Sequence, residues 1–542
     1  MENLYYEVAL PLPLRNSFTY SSNIKISKGS RVQVPFRNRE IVGYVLKKQS
    51  SPNVKSIKPI TKVLDRNSLI DKPSYDLIHW IANYYKAPIG EIFKSYFPPF
   101  LRKGKEIKDS IEVYAITNLG KLASKESFGR AKKQFEALEV FQHKLELSRP
   151  GLKANKISKA ILDALISKGY LEIKSLNRNE LKTNKELNLE AFFELNDEQN
   201  KIYKSIKNSS ANLTHLIFGI TGSGKTEIYF HLIRDFIEKG KQVMILVPEI
   251  GLTPNLKAEI ERRFGEDNVA LLHSEMSEKD RAHAWNDINK GFKSILIGTR
   301  SAIFTPFKDL GLIVVDEEHD SSYKQIDGFR YSARDVAVYR ANLEKIPVIM
   351  CSATPSLESL KNCQDKKYCL HKLTRRVKDA RQPKFEISDL RSSELKSGLT
   401  EYSLNEISKE LSKGNQVLVF LNKKGYAPMV FCNKCGWTPE CSNCDVSMVY
   451  HINPKRLVCH HCGTKHPMPV ACLNCNEESL EFFHTGTEKL EEFLKEYFKN
   501  TPVIRVDREA LGKEQLRSNS LLPDSKEPLI LVGTQILAKG HH

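Results

Sequence analysis

The chain has 542 residues, 40% of them hydrophobic and 27% charged, with a net charge of +18. At roughly 150 residues per domain this is enough chain for three or four buried cores, which excludes a single small binding module. No apolar run approaches the ~18 residues needed to span a bilayer, and the apolar start has no basic residue before it and is broken by Pro11 and Pro13; the sequence reads as that of a cytoplasmic protein with no membrane partner.

Residues 1–104 read as a small β-rich domain. Arg31 to Pro35 and Glu40 to Leu46 alternate or run β-branched between polar turns, and the spacing predicts a helix from Ser74 to Tyr85. Pro98-Pro99 and Gly104 mark the exit into a second basic region, residues 105–190. There Ile157, Ile161, Leu162, Leu165 and Ile166 have helical spacing, and Gly169 leads into a short strand at Tyr170 to Ile173. That is the outline of a winged-helix unit, and a three-helix linker domain fits the same pattern. Residues 1–190 hold 34 Lys+Arg against 19 Asp+Glu, nearly all of the chain's excess. A basic front on a near-neutral body points to a module that grips nucleic-acid phosphates; solvated surface lysines are the bland alternative.

From Leu195 the texture changes to buried strands alternating with helices. His215 to Phe218, Val243 to Val247, Ser294 to Ile297, Leu312 to Val315 and Pro347 to Met350 predict a parallel α/β sheet over residues 191–370. Gly219, Ile220, Thr221, Gly222, Ser223, Gly224, Lys225 and Thr226 fit G-x-x-x-x-G-K-[ST] between a strand and a helix predicted over Glu227 to Glu238. The glycines let the backbone wrap phosphates, Lys225 reaches the β/γ-phosphates of ATP, and Thr226 ligates Mg²⁺. Asp316-Glu-Glu-His319 follows another buried strand, so Asp316 would hold Mg²⁺ through water and Glu317 would deprotonate the attacking water. His319 reads either as a structural hydrogen-bonding residue or as a coupler between the ATP site and nucleic acid.

Residues 371–430 hold the start of a second α/β unit, whose first strand is read near Val417 to Leu421, and it resumes over 479–542 through Val503 to Val506 and Leu529 to Val532. Between them, residues 431–478 hold eight of the eleven cysteines as four C-x-x-C pairs: Cys432/Cys435, Cys441/Cys444, Cys459/Cys462 and Cys472/Cys475. Zn²⁺ takes four thiolates in a tetrahedron, so the pairs predict two closed structural zinc sites. Spacing alone allows nested, sequential or alternating pairing, and His451, His460, His461 and His466 read as spectators.

Asp-Glu-x-His after a P-loop, followed by Ser352-Ala-Thr-Pro355, resembles the superfamily 2 helicases. Within them, Val247-Pro-Glu-Ile-Gly-Leu-Thr-Pro254, Ile297-Gly-Thr-Arg-Ser-Ala302, Phe304-Thr-Pro-Phe307, Leu421-Asn-Lys-Lys-Gly425, Gly533-Thr-Gln535 and Lys539-Gly-His541 are similar to the bacterial replication-restart helicases of the PriA family. The resemblance implies two RecA-like parallel-sheet lobes with a zinc-binding insertion, preceded by the β-rich DNA-binding domain and the winged-helix-like domain. It implies an ATP-dependent 3′→5′ DNA helicase that recognises abandoned forks and reloads the replicative helicase with primosome proteins, single-strand-binding protein and a helicase loader. Gln199, in Leu195-Asn-Asp-Glu-Gln199, would read adenine, and it also suits a capping box with Asn196. Ser321 to Arg334 matches the family's aromatic-rich loop, implying that Tyr323 and Phe329 stack on bases while Lys324 and Arg330 meet phosphate; two of the loop's aromatics simply packing beneath it is the alternative. The family's cysteine pairing is nested, Cys432/Cys435 with Cys472/Cys475 and Cys441/Cys444 with Cys459/Cys462. The family's pocket for a 3′ end, built on Phe, Asp, Gly and Lys, corresponds here to Phe18, Thr19, Arg37 and Lys58, so two of the four residues depart from the pattern. The arginine-bearing Q-x-x-G-R-x-G-R segment is expected beyond His541-His542, leaving the second lobe incomplete. Since an arginine finger is worth about 10³–10⁵ in rate, the chain by itself is expected to hydrolyse ATP slowly. Two rival readings keep fewer of these parts: a fork-binding platform with an inert motor, and a generic superfamily 2 translocase.

Overall fold

The computed structural model describes residues 4–50, 56–107, 110–129, 131–148, 151–152, 155, 157–177, 188, 191–210, 212–248, 254–377, 383–388, 395–421, 429–444, 446–451, 456–459, 462–483, 487–506 and 527–533. Most of Val247–Pro254 and Leu421–Gly425, and all of 534–542, therefore lie outside the described residues, as do His460 and His461. The chain forms two compact units, one ending at Ala380 and one made chiefly of residues 381–542.

The first unit opens with a six-stranded sheet ordered Lys58–Pro59, Phe18–Ser22, Leu4–Ala9, Arg39–Gln49, Arg31–Phe36, Lys62–Val63. Alternation along these strands puts Tyr6, Val8, Tyr20, Val32, Val34 and Val45 into one core. The predicted helix runs from Lys72 to Tyr84, with Asp71 as its N-cap accepting from the N–H of Ser74 at 3.0 Å. A second small sheet, with Ser110–Ile116 between Glu146–Ser148 and Leu171–Asn177, is antiparallel. The helices Lys132–Lys144 and Lys159–Ser167 cover it, burying Leu138, Phe141, Leu162 and Leu165.

The third layer of this unit is a seven-stranded parallel sheet. Its order is Val269–Leu272, Ile295–Gly298, Gln242–Leu246, Leu310–Val315, Val348–Ser352, Thr214–Gly219, Tyr368–Leu373. The inner strands are buried on both faces, which is why they read as unbroken apolar runs. The two edge strands, Val269–Leu272 and Tyr368–Leu373, escape the sequence pattern because one is short and the other alternates with His371 and Lys372. The N-terminal domain shares a core with this sheet's helices: Trp80 stacks on Tyr339 with centroids 3.6 Å apart, and Tyr96 and Phe97 pack on Trp285.

The second unit holds a three-stranded parallel sheet ordered Val417–Phe420, Ile530–Gly533, Val503–Val506. Leu404, Leu490, Leu494 and Val532 form its core. A separate five-stranded antiparallel sheet, ordered Lys465–Pro467, Arg456–Val458, Val449–His451, Met429–Cys432, Leu480–Phe483, carries the cysteines. Among the described residues no helix is long and apolar enough to cross a membrane.

Candidate nucleotide, metal and DNA sites

All the acidic and glycine-rich segments leave the carboxyl ends of the parallel strands, where ligands bind in open α/β sheets. The P-loop runs from the strand Thr214–Gly219 into the helix Lys225–Glu238. Gly222 and Gly224 have φ of 78° and 75°, a region that residues with a side chain seldom enter. A Cβ on Gly224 would lie 2.3 Å from Nε2 of Gln199, so close packing also requires that glycine. Lys225 is buried and its Nζ donates to the carbonyl of Gly219 at 2.9 Å, which holds the ammonium within the curve of the loop.

Gln199 shows how tightly the loop is buttressed. Its Oε1 accepts from the N–H of Asn196 at 2.9 Å, completing a capping box, and its Nε2 donates to the carbonyl of Ser223 at 2.9 Å. In this buried site Gln199 ties its helix to the P-loop. The segment after the last sheet strand covers the loop as well, through the N–H of Val377 on the carbonyl of Gly222 at 2.9 Å.

Asp316 follows the strand Leu310–Val315 and is half-buried. Burial, reinforced by the neighbouring Glu317 carboxylate, pushes its pKa up to about 6, against the N–H of Glu317, the Lys225 charge and the Tyr229 hydroxyl, which pull it down. Glu317 has φ of 45°, an uncommon backbone state of the kind that surrounding contacts hold at functional sites. Its carbonyl accepts from Asp320 N–H at 2.9 Å. Glu317 Oε2 lies 3.4 Å from Nδ1 of His319, and that nitrogen lies 2.8 Å from Oγ of Ser352. Of the two readings of His319, the geometry puts it on a line from the carboxylates to Ser352-Ala-Thr-Pro355.

Glu318, to which the sequence reading gave no role, is the most engaged residue of the motif. Its carboxylate accepts from Ser356 N–H at 2.7 Å and Ser359 Oγ at 2.9 Å, and meets Arg334 at 3.2 Å. It clasps the segment after Ser352 to the acidic motif. The signal was available in principle, since a third carboxylate at the end of a buried strand needs partners.

The aromatic loop departs from expectation. Tyr323 is 2% exposed and Phe329 5%. The Tyr323 hydroxyl lies 2.9 Å from the carbonyl of Leu246, and Phe329 stacks on Tyr331, which in turn packs against Phe304. Neither ring presents a face to a base, because both fill the core beneath the loop; the expectation of stacking by Tyr323 and Phe329 is corrected accordingly. Lys324 and Arg330 are exposed, as is Ile326 between them.

In the N-terminal sheet Phe18 is half-buried and meets Phe36 edge-on, with centroids 5.2 Å apart. Arg37 keeps a positive φ of 53° and carries its guanidinium over the Phe36 ring. Thr19 turns to the other face of its strand, opposite Glu7, and donates to Gln49 at 3.1 Å. Lys58 is exposed and pairs with Tyr20, two residues along from Phe18. Beside Phe36 and Arg37 a cavity of ≈ 860 Å³ is lined by Leu12 to Leu14 and by Asn38 and Arg39.

The cysteines form two clusters, Cys432, Cys435, Cys472 and Cys475 in one and Cys441, Cys444, Cys459 and Cys462 in the other, with the sulfurs of each within 4.8 Å of one another. This is the nested pairing. Sulfurs of Cys432 and Cys475, and of Cys435 and Cys472, are 3.6 Å apart, and those of Cys441 and Cys462 are 3.5 Å apart. Four thiolates about 2.3 Å from a central ion would stand roughly 3.8 Å from each other, so both sites fit a tetrahedral ion of the zinc type. Three of the four knuckles turn on a left-handed residue after the second cysteine: Gly436 at φ 73°, Gly463 at 79° and Asn476 at 59°.

Residues 7–98 match the 3′DNA-binding domain family of PriA, residues 196–363 the DEAD/DEAH box helicases, and residues 441–467 the Cys-rich region of PriA DNA helicase. The chain is 38% identical to the replication restart protein PriA of Haemophilus influenzae over 99% of its own length and 74% of that protein's. It is 34% identical to PriA of Chlamydia pneumoniae, with the same coverage of each. Against PriA of Bacillus subtilis it is 39% identical over 64% of this chain and 44% of that one. Solved structures are remote by comparison: RecG bound to a three-way DNA junction aligns at 16% identity with a TM-score of 0.33, over 63% of this chain and 36% of that one. The assignment rests on the sequence relatives and on the three domain matches falling where the end-binding sheet, the P-loop sheet and the cysteine clusters stand. The chain belongs to the PriA family of replication restart proteins, and is an ATP-dependent DNA helicase.

Proposed function

We propose that this helicase moves 3′→5′ on branched DNA at stalled or abandoned replication forks, in the cytoplasm at the nucleoid, and there helps primosome proteins, single-strand-binding protein and a helicase loader to reload the replicative helicase. The observation that carries the motor part is the continuous contact line Glu317–His319–Ser352 at the ends of adjacent strands beside the P-loop. Lys225 and the N–H groups at the start of its helix balance the charge of the ATP phosphates. The Glu317 carboxylate takes the proton of the attacking water, and Asp316 and Thr226 would hold Mg²⁺, whose charge offsets that building on the phosphate oxygens. His319 passes the state of that carboxylate to Ser352.

The domain limits 1–104, 105–190, 191–370, 371–430, 431–478 and 479–542 belong to the same reading, with the second region acting as a winged helix. Two Zn²⁺ ions occupy the cysteine clusters and stiffen a surface for partners. Phe18, Arg37 and Lys58 line the approach to a 3′ end, and Lys324 and Arg330 meet a DNA strand beside the motor. The test is paired: Lys225→Ala and Glu317→Gln should each lower ATP turnover by about 10²-fold or more while fork affinity changes little. Unchanged hydrolysis would overturn the assignment of the site. For the end pocket, affinity for a fork with a 3′-hydroxyl is compared with one bearing a 3′-phosphate across salt; equal binding that collapses together would reduce the front domain to a phosphate grip.

A further inference from the structure

The loop between the acidic motif and the helix Ala333–Glu344 is a hairpin with two separately anchored roots. Lys324 and Ser332 form an antiparallel bridge, and Gln325 N–H donates to the Tyr331 carbonyl at 2.9 Å, which closes the neck below the tip Ile326 to Arg330. At the first root the Tyr323 hydroxyl lies 2.5 Å from the carbonyl of Asp316 itself. At the second, Ser332 N–H donates to the hydroxyl of Tyr85 at 3.2 Å, and the Tyr85 ring stands edge-on to Phe329 at 6.2 Å. Tyr85 belongs to the N-terminal domain, 247 residues away in sequence, where it caps the helix Lys72–Tyr84. Trp80 of that helix, stacked on Tyr339, fixes the helix to the one that follows the loop. The end-binding domain thus reaches the loop beside the ATP site.

We propose that Tyr85 is a positioning residue for DNA-coupled ATP hydrolysis. A hairpin pushed at its tip delivers that push to one root only if the other is held. Tyr85 holds the Ser332 root, so displacement of Lys324 and Arg330 by a strand reaches Asp316 through Tyr323 instead of shifting the whole loop. The inference rests on the proposed contact of the tip with DNA.

The test uses the full-length protein, with ATPase rates measured with and without single-stranded DNA over a range of DNA and ATP concentrations. Tyr85→Phe keeps the ring and removes the acceptor. It should lower the DNA-stimulated kcat about fivefold, the factor one net hydrogen bond is worth, and leave the DNA-free rate, the KM for ATP and the DNA affinity unchanged. Tyr85→Leu should lose more stimulation, and combining it with Phe329→Leu should lose little beyond the larger single effect, because the two rings act through one contact. Wild-type stimulation in both Tyr85 variants overturns the proposal. So does an equal fall of DNA-free and stimulated rates, which marks general support of the fold. Lys324→Glu with Arg330→Glu separates the underlying reading: full stimulation there sinks the DNA contact of the tip, whereas loss there with intact Tyr85 variants sinks the anchoring alone.

Discussion

Replacing Glu318 by Ala removes an enclosed carboxylate that accepts from Ser356 N–H, Ser356 Oγ and Ser359 Oγ at 2.7, 3.0 and 2.9 Å. It also strips Arg334 of one of two carboxylates, leaving Asp335 at 3.2 Å, which is half-exposed. Breaking a buried pair from one side costs about 3–5 kcal/mol, mostly for the partner left behind. The Arg334 side chain is 18% exposed and keeps Asp335, so the lower end applies, about 3 kcal/mol. A chain with several cores does not unfold in one step, so the readout is native-state hydrogen exchange in the helix Leu357–Gln364, which Ser356 caps. Exchange there should quicken about a hundredfold, at 1.4 kcal/mol per factor of ten. The double variant Glu318→Ala/Arg334→Met should cost less than the sum of the two single variants, because each single already removes the shared Glu318–Arg334 contact. A single variant within the noise of wild type, or a double costing the sum of both singles, would refute the clasp.

Three further outcomes follow from the same geometry. Under nested pairing, Cys435→Ser with Cys475→Ser disables one cluster, so metal analysis of the purified double variant should find one zinc retained; sequential pairing would lose both. Gly224→Ala, whose Cβ would meet Gln199 at 2.3 Å, should weaken binding of a fluorescent ATP analogue more than Gly222→Ala, whose Cβ finds nothing nearer than Arg376 at 4.0 Å. Comparable losses would show that only the left-handed backbone matters, worth about 1–2 kcal/mol at either position. His215 is buried, with Nδ1 3.0 Å from Nε2 of His371 and a pKa pushed down to about 4, first by burial and then by His371. A histidine whose folded pKa lies below its unfolded 6.5 stabilises the fold above that pH, and the contribution is lost as pH falls toward 4. The loss should be roughly 2–3 kcal/mol; thermal melts from pH 7.5 to 4.5 should slope less in His215→Gln, and equal slopes would count against it.

What the sequence discloses is chemistry that admits few substitutes. Strands buried on both faces read as apolar runs, glycines with φ near 75° are demanded by a backbone that wraps phosphate, and eight cysteines in pairs have no better use in such a chain than metal. What it conceals is direction. Residue type in a loop carries no period from which a face can be inferred, so Tyr323 and Phe329 served a stacking platform and a buried wedge equally well until their burial was seen. The same holds for Gln199, whose amide suits an adenine edge and a capping box alike, and for the cysteine pairs, whose spacing is indifferent to partner. In the aromatic loop the division is physical: the rings went inward because the carbonyls of Leu246 and Asp316 give the Tyr323 hydroxyl a partner there, while Lys324 and Arg330 stayed in water, where a charge costs nothing to keep. Under the proposed reading, strand contact falls to the exposed tip, and Tyr323, bonded to the carbonyl of Asp316, is the route by which contact there would be felt at the acidic motif.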